Sequence, residues 1–323
     1  MKTKPAAAVE ALLQQLSDAS QLLSVAKLYA LSNLERADLA RVQAVWPTLL
    51  DERRRATIRH LVDIAEANFE VNFGPMFRLA LGDPNPEVRE AAIDGLWEEQ
   101  DPALIPVLLN ILQHDPSEQV RAAGASALGR FVYWDEIEQV PHARVEPALK
   151  ALREIIAAPD EPPEVRRRAV EAIGFSSADD VPGIIRSAYA SPDELMRVSA
   201  VYAMGNSADE QWIDAVTSEV EGQLPAMRYE AARAAGELEA RTAVGALARL
   251  LDDPDREVQV MAVWALGQIG GKRARSLLSE MAAGDDADLA EAAMEALEEL
   301  EWMHGERDLP LFVFDPHADE EDE

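Results

Sequence analysis

Apolar residues recur along most of this chain at spacings of three and four, which predicts amphipathic helices rather than strands. The pattern also repeats over a longer distance. Seven segments align on a first apolar residue, and these residues are Val88, Val120, Val165, Met196, Met227, Val258 and Leu289. The last four steps are 31 residues each, whereas the step from Val120 to Val165 is 45 residues. Five of the segments carry a glycine nine positions after the first apolar residue. A constant period of this kind indicates an array of structural repeats.

Each repeat contains another helical segment ahead of the aligned one, such as PALIPVLLNILQ or TAVGALARLL. The turns between the two segments read DPNP, DPSE, SPDE or DPDR. Asp or Ser in such a turn can cap the next helix, and Pro fits its first turn. Two helices in 31 residues cannot bury their own apolar faces, so neighbouring pairs must stack. The sequence therefore predicts an all-α fold of stacked helix pairs.

The pattern V-R-x-x-A-φ-x-A-φ-G after a D-P turn resembles HEAT repeats, and more narrowly the short HEAT-like repeats of the phycobilisome-lyase type. The resemblance covers residues 70–300. It implies a right-handed superhelical solenoid of stacked antiparallel helix pairs, in which the second helix of each pair lines the concave surface. The family includes scaffolds, lyases, a hydroxylase and a DNA glycosylase, so the resemblance implies a fold and no particular activity.

Three regions follow from the pattern: an N-terminal helical cap over residues 1–69, seven HEAT-like repeats over 70–303, and an acidic, partly disordered tail over 304–323. The 45-residue step contains an insertion around residues 131–146. We expect it to form a longer helix with its aromatic residues packed inward, or alternatively a loop over the groove. In the tail, LPLFVFD (309–315) is either a cap on the final repeat or an extended recognition segment.

An arginine follows the first apolar residue in five repeats, as Arg89, Arg121, Arg166, Arg197 and Arg228. A row of arginines could bind phosphate. Acidic residues lie shortly before these arginines, however, at Asp83, Asp115, Asp160 and Asp193. The resemblance implies that such residues form a ladder of Arg–Asp contacts along the stack. Gln259 and Ala290 interrupt the row, which predicts that the last two repeats are joined more loosely.

The positions two, six and ten residues after the first apolar residue are spaced four apart, so they form one column on each second helix. We call this set the column. It is polar in the first and last repeats and aromatic in the middle, which is typical of an interface with a polar rim. The alternative is that the rings fill gaps between alanine-rich helices. The predicted partner-binding residues, with Met261 beside the column, are Arg167, Glu171, Phe175, Val198, Tyr202, Tyr229, Arg233, Val260, Met261, Trp264 and Gln268.

The net charge of −30 comes entirely from residues 86–323, because residues 1–85 are balanced. Such a field repels nucleic acid and attracts basic proteins, unless the acidity serves solubility alone. Arg53, Arg54, Arg55 and Arg59 lie in the balanced part, where a solvated helix face is expected rather than a nucleic-acid site. The N-terminus does not resemble a signal peptide, and no apolar run is long enough to cross a membrane. We therefore expect a cytoplasmic protein of unknown oligomeric state.

Candidate catalytic chemistry is sparse. The chain has no cysteine, and no two of its five histidines are spaced to share a helical face. The sequence also lacks a glycine-rich phosphate loop and a GxSxG motif. It predicts no catalytic residue, no metal and no cofactor. The favoured interpretation is a non-enzymatic scaffold that binds a basic protein or peptide. The alternative, which follows from the resemblance, is a chromophore- or cofactor-handling subunit like the lyases.

Overall fold

The computed structural model describes residues 6–18 and 20–304, and in these residues the fold is helical without any strand. Short 3-10 turns lead into several of the helices. The helices are α1 Ala6–Ser17, α2 Val25–Leu28, α3 Arg36–Val45, α4 Asp51–Ala67, α5 Gly74–Ala80, α6 Pro86–Asp94, α7 Ile105–His114, α8 Glu118–Glu136, α9 His142–Ala157, α10 Pro163–Ile173, α11 Val181–Tyr189, α12 Glu194–Asn206, α13 Ile213–Glu219, α14 Pro225–Glu237, α15 Val244–Leu250, α16 Arg256–Ile269, α17 Gly271–Ala282 and α18 Ala287–His304.

The predicted turn chemistry sets the starts of the second helices. Asn85, Asp193 and Asp255 each accept a hydrogen bond from the backbone N–H two residues later, which caps α6, α12 and α16. Proline occupies the first turn of α6, α10 and α14, where its missing N–H costs nothing. These signals end one helix and begin the next within a few residues, so each helix pair folds back on itself.

The chain forms two compact units, Met1–Ala208 and Asp209–Glu323. In the first unit, α7 packs on α8, α9 on α10 and α11 on α12, while α8, α10 and α12 pack on one another in turn. In the second unit, α13, α15 and α17 pack on α14, α16 and α18, and these three second helices again stack in order. The all-α prediction of stacked helix pairs is therefore confirmed within each unit.

Glycines at the ninth position allow the second helices to approach closely. Within a unit, a glycine of one second helix faces an alanine of the next: Gly129 faces Ala172, Gly174 faces Ala203, and Gly267 faces Ala296. A Cβ atom on Gly174 would lie 2.7 Å from the Cα atom of Ala203, too near for any side chain. The recurrence of glycine in the sequence is thus a packing requirement between neighbouring repeats.

The predicted arginine ladder is present in much of the chain. Arg89 donates two hydrogen bonds, of 2.7 and 2.8 Å, to the carboxylate of Asp115 in the next turn. Arg228 binds Asp253 in the same way, at 2.6 and 2.8 Å. Arg121 uses Glu161 at 2.9 Å rather than Asp160. Each of these arginines also donates to the backbone carbonyl six residues before it. One side chain therefore ties its own turn to the turn of the next repeat.

The ladder differs from the prediction in two places. Arg166 donates to the carbonyl of Ile156 instead, since Ser191 stands in the next turn where an acidic residue would be needed. Gln259 keeps part of the predicted contact, because its amide donates to the carbonyl of Asp253 at 2.7 Å. The ion pair to the next turn comes instead from Arg256, which binds Asp286 at 2.6 Å. A looser junction of the last two repeats stays a prediction.

The insertion lengthens helices rather than forming a loop over the groove. It extends α8 to Glu136, and α9 begins at His142. Phe131 is fully buried and meets Trp134 edge-on, with ring centres 5.1 Å apart. Tyr133 departs from the expected inward packing: it is 44% exposed, and its ring edge lies against Phe175. The segment LPLFVFD lies outside the described residues.

Candidate partner-binding surface

Column residues of the first unit line an open cavity of about 400 Å³ between α6 and α8. Glu90 and Asp94 come from α6, and Ala122, Ser126 and Arg130 come from α8. Glu164 and Arg168 of α10 close one end, and Trp97 stands beside the α6 wall. The rest of the lining is Ile93, Gln119, Ala123 and Ala127. The column therefore faces a concavity in this part of the molecule.

The α6 repeat beside the cavity lacks the glycine found at the ninth position of five other repeats. Its ninth position holds Trp97, which lies just beyond the end of α6 and is 43% exposed. The glycine of this repeat is Gly95, and the ring of Phe77 from α5 occupies the space beside it. The α6–α8 contact therefore has no glycine–alanine pair at this position.

The α6 side of the cavity carries negative charge that Arg130 offsets only in part. Among the described residues, no hydrogen bond or ion pair reaches the carboxylates of Glu90 and Asp94. Loss of hydration raises the pKa of Asp94, and repulsion from Glu90 and Glu66 raises it further, while Arg130 acts in the opposite sense. The Arg130 guanidinium donates to the carbonyl of Leu96 at 3.0 Å, and burial lowers its pKa.

The α10 side is different, because its charges are paired with one another. Glu164 accepts from both Arg167 and Arg168, at 2.6 and 2.9 Å. Arg168 also donates to Glu171 at 2.8 Å. The wall made by α10 is thus electrically balanced, and the excess of negative charge in the cavity lies on α6.

Three predicted residues of the first unit belong to the packing between α10 and α12. Arg167 donates to the Ser199 hydroxyl at 3.1 Å, and that hydroxyl donates to Glu171 at 2.6 Å. Glu171 and Val198 are buried. Column position does not guarantee exposure here, because close helix packing covers these side chains. Phe175 and Tyr202 remain half-buried.

The predicted residues of the second unit are more accessible. Val260 is 41% exposed, whereas Tyr229, Arg233, Met261, Trp264 and Gln268 are half-buried. Arg233 forms ion pairs with Glu230 and Glu237. Desolvation raises the pKa of the Tyr229 hydroxyl, and the charge of Glu230 adds to the effect.

Trp264 fits both interpretations of the aromatic residues, as packing between helices and as an exposed surface. Its ring packs against Gly236, where a Cβ atom would lie 2.6 Å from the ring. One part of the side chain therefore fills a gap between α14 and α16, as the packing alternative predicts. The remainder of the half-buried ring is open to a partner.

Sequence analysis did not select Glu90, Asp94, Trp97 and Arg130 as site residues. The acidic residues were assigned to a polar rim, and Trp97 was outside the column. The signal that could have identified this region was the exception at the ninth position, where a large aromatic residue stands in place of glycine.

The arginines of α4 make internal contacts. Arg54 is 3% exposed and binds Asp83 at 2.8 Å, so the expected solvated face is wrong for this residue. Arg55 and Arg59 both pair with Glu87. Arg53 donates to the carbonyl of Gln21 at 2.7 Å. These side chains fix α4 against its neighbours.

The described residues contain no cluster of three or more His, Asp or Glu side chains that could hold a metal ion. None of the helices in that part of the chain has the length and apolar content needed to cross a bilayer.

A family model described as HEAT repeats matches residues 74–161 and 213–298, together more than half of the chain. The helix pairs and the arginine ladder are the structural features that such repeats have, so they agree with this match. The chain belongs to the HEAT-repeat family. No curated protein matches the sequence.

Several solved structures are similar in fold. The Escherichia coli protein YibA is 18% identical, with 88% of this chain and 99% of that chain covered and a TM-score of 0.45. Human deoxyhypusine hydroxylase in complex with glycerol is 21% identical, with 82% and 96% covered and a TM-score of 0.36. A designed armadillo repeat protein in complex with the peptide (KR)4 is 19% identical, with 61% and 99% covered and a TM-score of 0.40. At this level the likeness is one of fold alone.

Proposed function

We propose that this chain is a non-enzymatic interaction module, which binds a basic segment of a partner protein on the column surface of its second helices. Repeats of this kind bury their apolar faces against neighbours and leave an extended surface for binding. The observation that carries the proposal is the cavity between α6 and α8, since column residues line it and two of its carboxylates are unpaired.

The charge of the chain supports a basic partner. Residues 86–323 carry 50 acidic and 20 basic residues, so the repeats have a strong negative field. Such a field speeds the approach of a positively charged segment and disfavours nucleic acid. Within the cavity, the unpaired carboxylates of Glu90 and Asp94 are the groups that would attract the positive charge of the partner.

The aromatic residues of the second unit would supply affinity. Tyr229 and Trp264 are half-buried, and exposed Val260 lies on the same column as Trp264. Tyr and Trp are the residue types most enriched at binding hot spots, because a partner can bury a large ring at a small cost in entropy. We therefore retain these residues as an apolar binding surface of the second unit.

The test is affinity purification from the source cells, with the full-length chain as bait and the captured proteins identified by mass spectrometry. We expect Trp264→Ala and Tyr229→Ala to lose the captured partners while retaining wild-type helical content by circular dichroism. Phe69→Ala is a matched control, because Phe69 is 77% exposed but lies between α4 and α5, off the column. If both column variants keep every partner, or if Phe69→Ala loses the same proteins, the aromatic surface is not the binding site.

A further inference from the structure

We propose that the cavity between α6 and α8 accepts one lysine side chain of the partner segment, with the ammonium group held by Glu90 and Asp94. This inference rests on the proposed function and specifies the residue recognised at one point of the surface. The lining offers what a lysine needs: carboxylate acceptors on one wall, apolar side chains such as Ile93 and Ala122 along the sides, and the Trp97 ring.

Charge complementarity identifies the occupant as a cation. The carboxylates of Glu90 and Asp94 repel each other, and Glu66 of α4 adds to the repulsion at Asp94. Arg130 compensates for only part of this charge, and no ion pair joins it to either carboxylate among the described residues. The paired charges of Glu164 and Arg168 contribute no net compensation. A cation placed between the two α6 carboxylates would remove the repulsion.

The geometry favours lysine over arginine. The Arg130 guanidinium already faces the cavity and donates to the carbonyl of Leu96. A second planar guanidinium would approach this like charge. A lysine ammonium is a compact charge with three donors, which two carboxylates can accept. Its methylene stem can pack against the alanines of α8, and its charge can interact with the face of Trp97.

The probe is a fluorescein-labelled peptide of alternating lysine and serine, titrated with the full-length chain by fluorescence polarisation. Peptides with arginine or acetyl-lysine in place of lysine complete the series. We expect the lysine peptide to bind about tenfold more tightly than the acetylated one, and more tightly than the arginine peptide. We expect the double variant Glu90→Gln/Asp94→Asn to weaken lysine-peptide binding about tenfold, because both acceptor charges are lost.

The control removes two charges from the same column at another place. Glu291 and Glu295 are exposed on α18, so Glu291→Gln/Glu295→Gln changes the net charge equally without altering the cavity. We expect this control variant to weaken lysine-peptide binding by less than about twofold, because only the long-range attraction of the net charge is reduced. A second readout is the indole N–H resonance of Trp97, assigned with Trp97→Phe, which should shift on addition of the lysine peptide.

The outcomes separate the two proposals. Equal weakening by the two double variants, no weakening by the cavity variant, or an unmoved Trp97 resonance would refute the lysine subsite and leave the interaction module standing. Arginine-peptide binding as tight as lysine-peptide binding would refute the choice of lysine. If none of the basic peptides binds the wild-type chain, the basic partner is wrong as well. Thermal unfolding of both double variants confirms that the comparison is made on folded protein.

Discussion

The contact between α6 and α8 in the first unit and the contact between α14 and α16 in the second differ at the ninth position of the repeat, among others. At the ninth position α14 has Gly236, over which Trp264 and Ala265 pack, whereas the α6 repeat has the exposed Trp97. We call the first contact open, because a cavity lies beside it, and the second closed, because Trp264 and Ala265 fill the space beside Gly236. Both are nevertheless joined by the same ion pair, Arg89–Asp115 in one and Arg228–Asp253 in the other.

This comparison assigns separate roles to two features of the repeat. The arginine sets the register between neighbouring repeats. It binds a backbone carbonyl of its own turn and the carboxylate in the turn of the next repeat. Glycine at the ninth position leaves space for an alanine backbone or a tryptophan ring of the next second helix. A repeat can therefore keep this ion pair with either glycine or tryptophan at its ninth position.

The largest effect is expected at the closed contact. Gly236→Ala should lower the free energy of unfolding by about 1–3 kcal/mol, because the new Cβ atom would lie 3.1 Å from the Cα atom of Ala265 and nearer still to the Trp264 ring. Gly245→Ala in α15 is the control, with open space around its Cβ position and an expected gain of about 0.5–1 kcal/mol. Urea denaturation followed by circular dichroism measures both. Equal tolerance of the two changes would show that close approach at Gly236 is unimportant.

Loss of either ion pair should have an effect of similar size. Arg89→Gln and Arg228→Gln should each lower the free energy of unfolding by about 2 kcal/mol, because each leaves a nearly buried carboxylate without its cation. Glutamine can keep the bond to the preceding turn, as Gln259 does with the carbonyl of Asp253. The same denaturation experiment compares the two variants. If Arg228→Gln lowered the free energy of unfolding strongly and Arg89→Gln did not lower it, the α6–α8 contact would not depend on its ion pair.

The loss of stability caused by Arg228→Gln should also depend on pH. Arg228 holds the pKa of Asp253 below its ordinary value of 3.8. A carboxyl group whose pKa is lower in the folded state contributes stability above the unfolded value, and this contribution is lost as pH falls through the folded pKa. The deficit of Arg228→Gln should be full at pH 7 and shrink below the ordinary pKa of 3.8. Urea midpoints of the two proteins from pH 7 to pH 3 provide the measurement, and a constant difference over that range would contradict it.

The smallest effect is expected at Trp97. Trp97→Ala should lower the free energy of unfolding by about 1 kcal/mol or less, since Trp97 is 43% exposed. Trp264→Ala should cost about 2 kcal/mol, because that ring fills the space beside Gly236. Thermal unfolding of the two variants tests the contrast. A cost at Trp97 equal to that at Trp264 would mean that the α6–α8 contact is as tightly packed as the other.

Sequence reasoning was most accurate where the interaction is local or repeated. The period of 31 residues and the capped turns predicted the helix pairs, because helix starts depend on residues within a few positions. The position of the arginines predicted the ladder. It did not predict that Arg166 lacks a carboxylate in the next turn, or that Arg256 makes the ion pair that Gln259 cannot make. The acidic residue of such a pair lies about 25–30 residues away and belongs to another repeat.

The sequence by itself thus determined the class of fold, its construction from repeated helix pairs, and the sign of the net charge, all of which follow from periodicity, capping and composition. Only the tertiary structure decided which column residues are open. It buried Val198 and Glu171 between α10 and α12, left Trp264 partly open over Gly236, and formed a cavity beside Trp97. The physical reason is that exposure depends on the distance between neighbouring helices, and that distance is set by the pair of residues that meet across the contact.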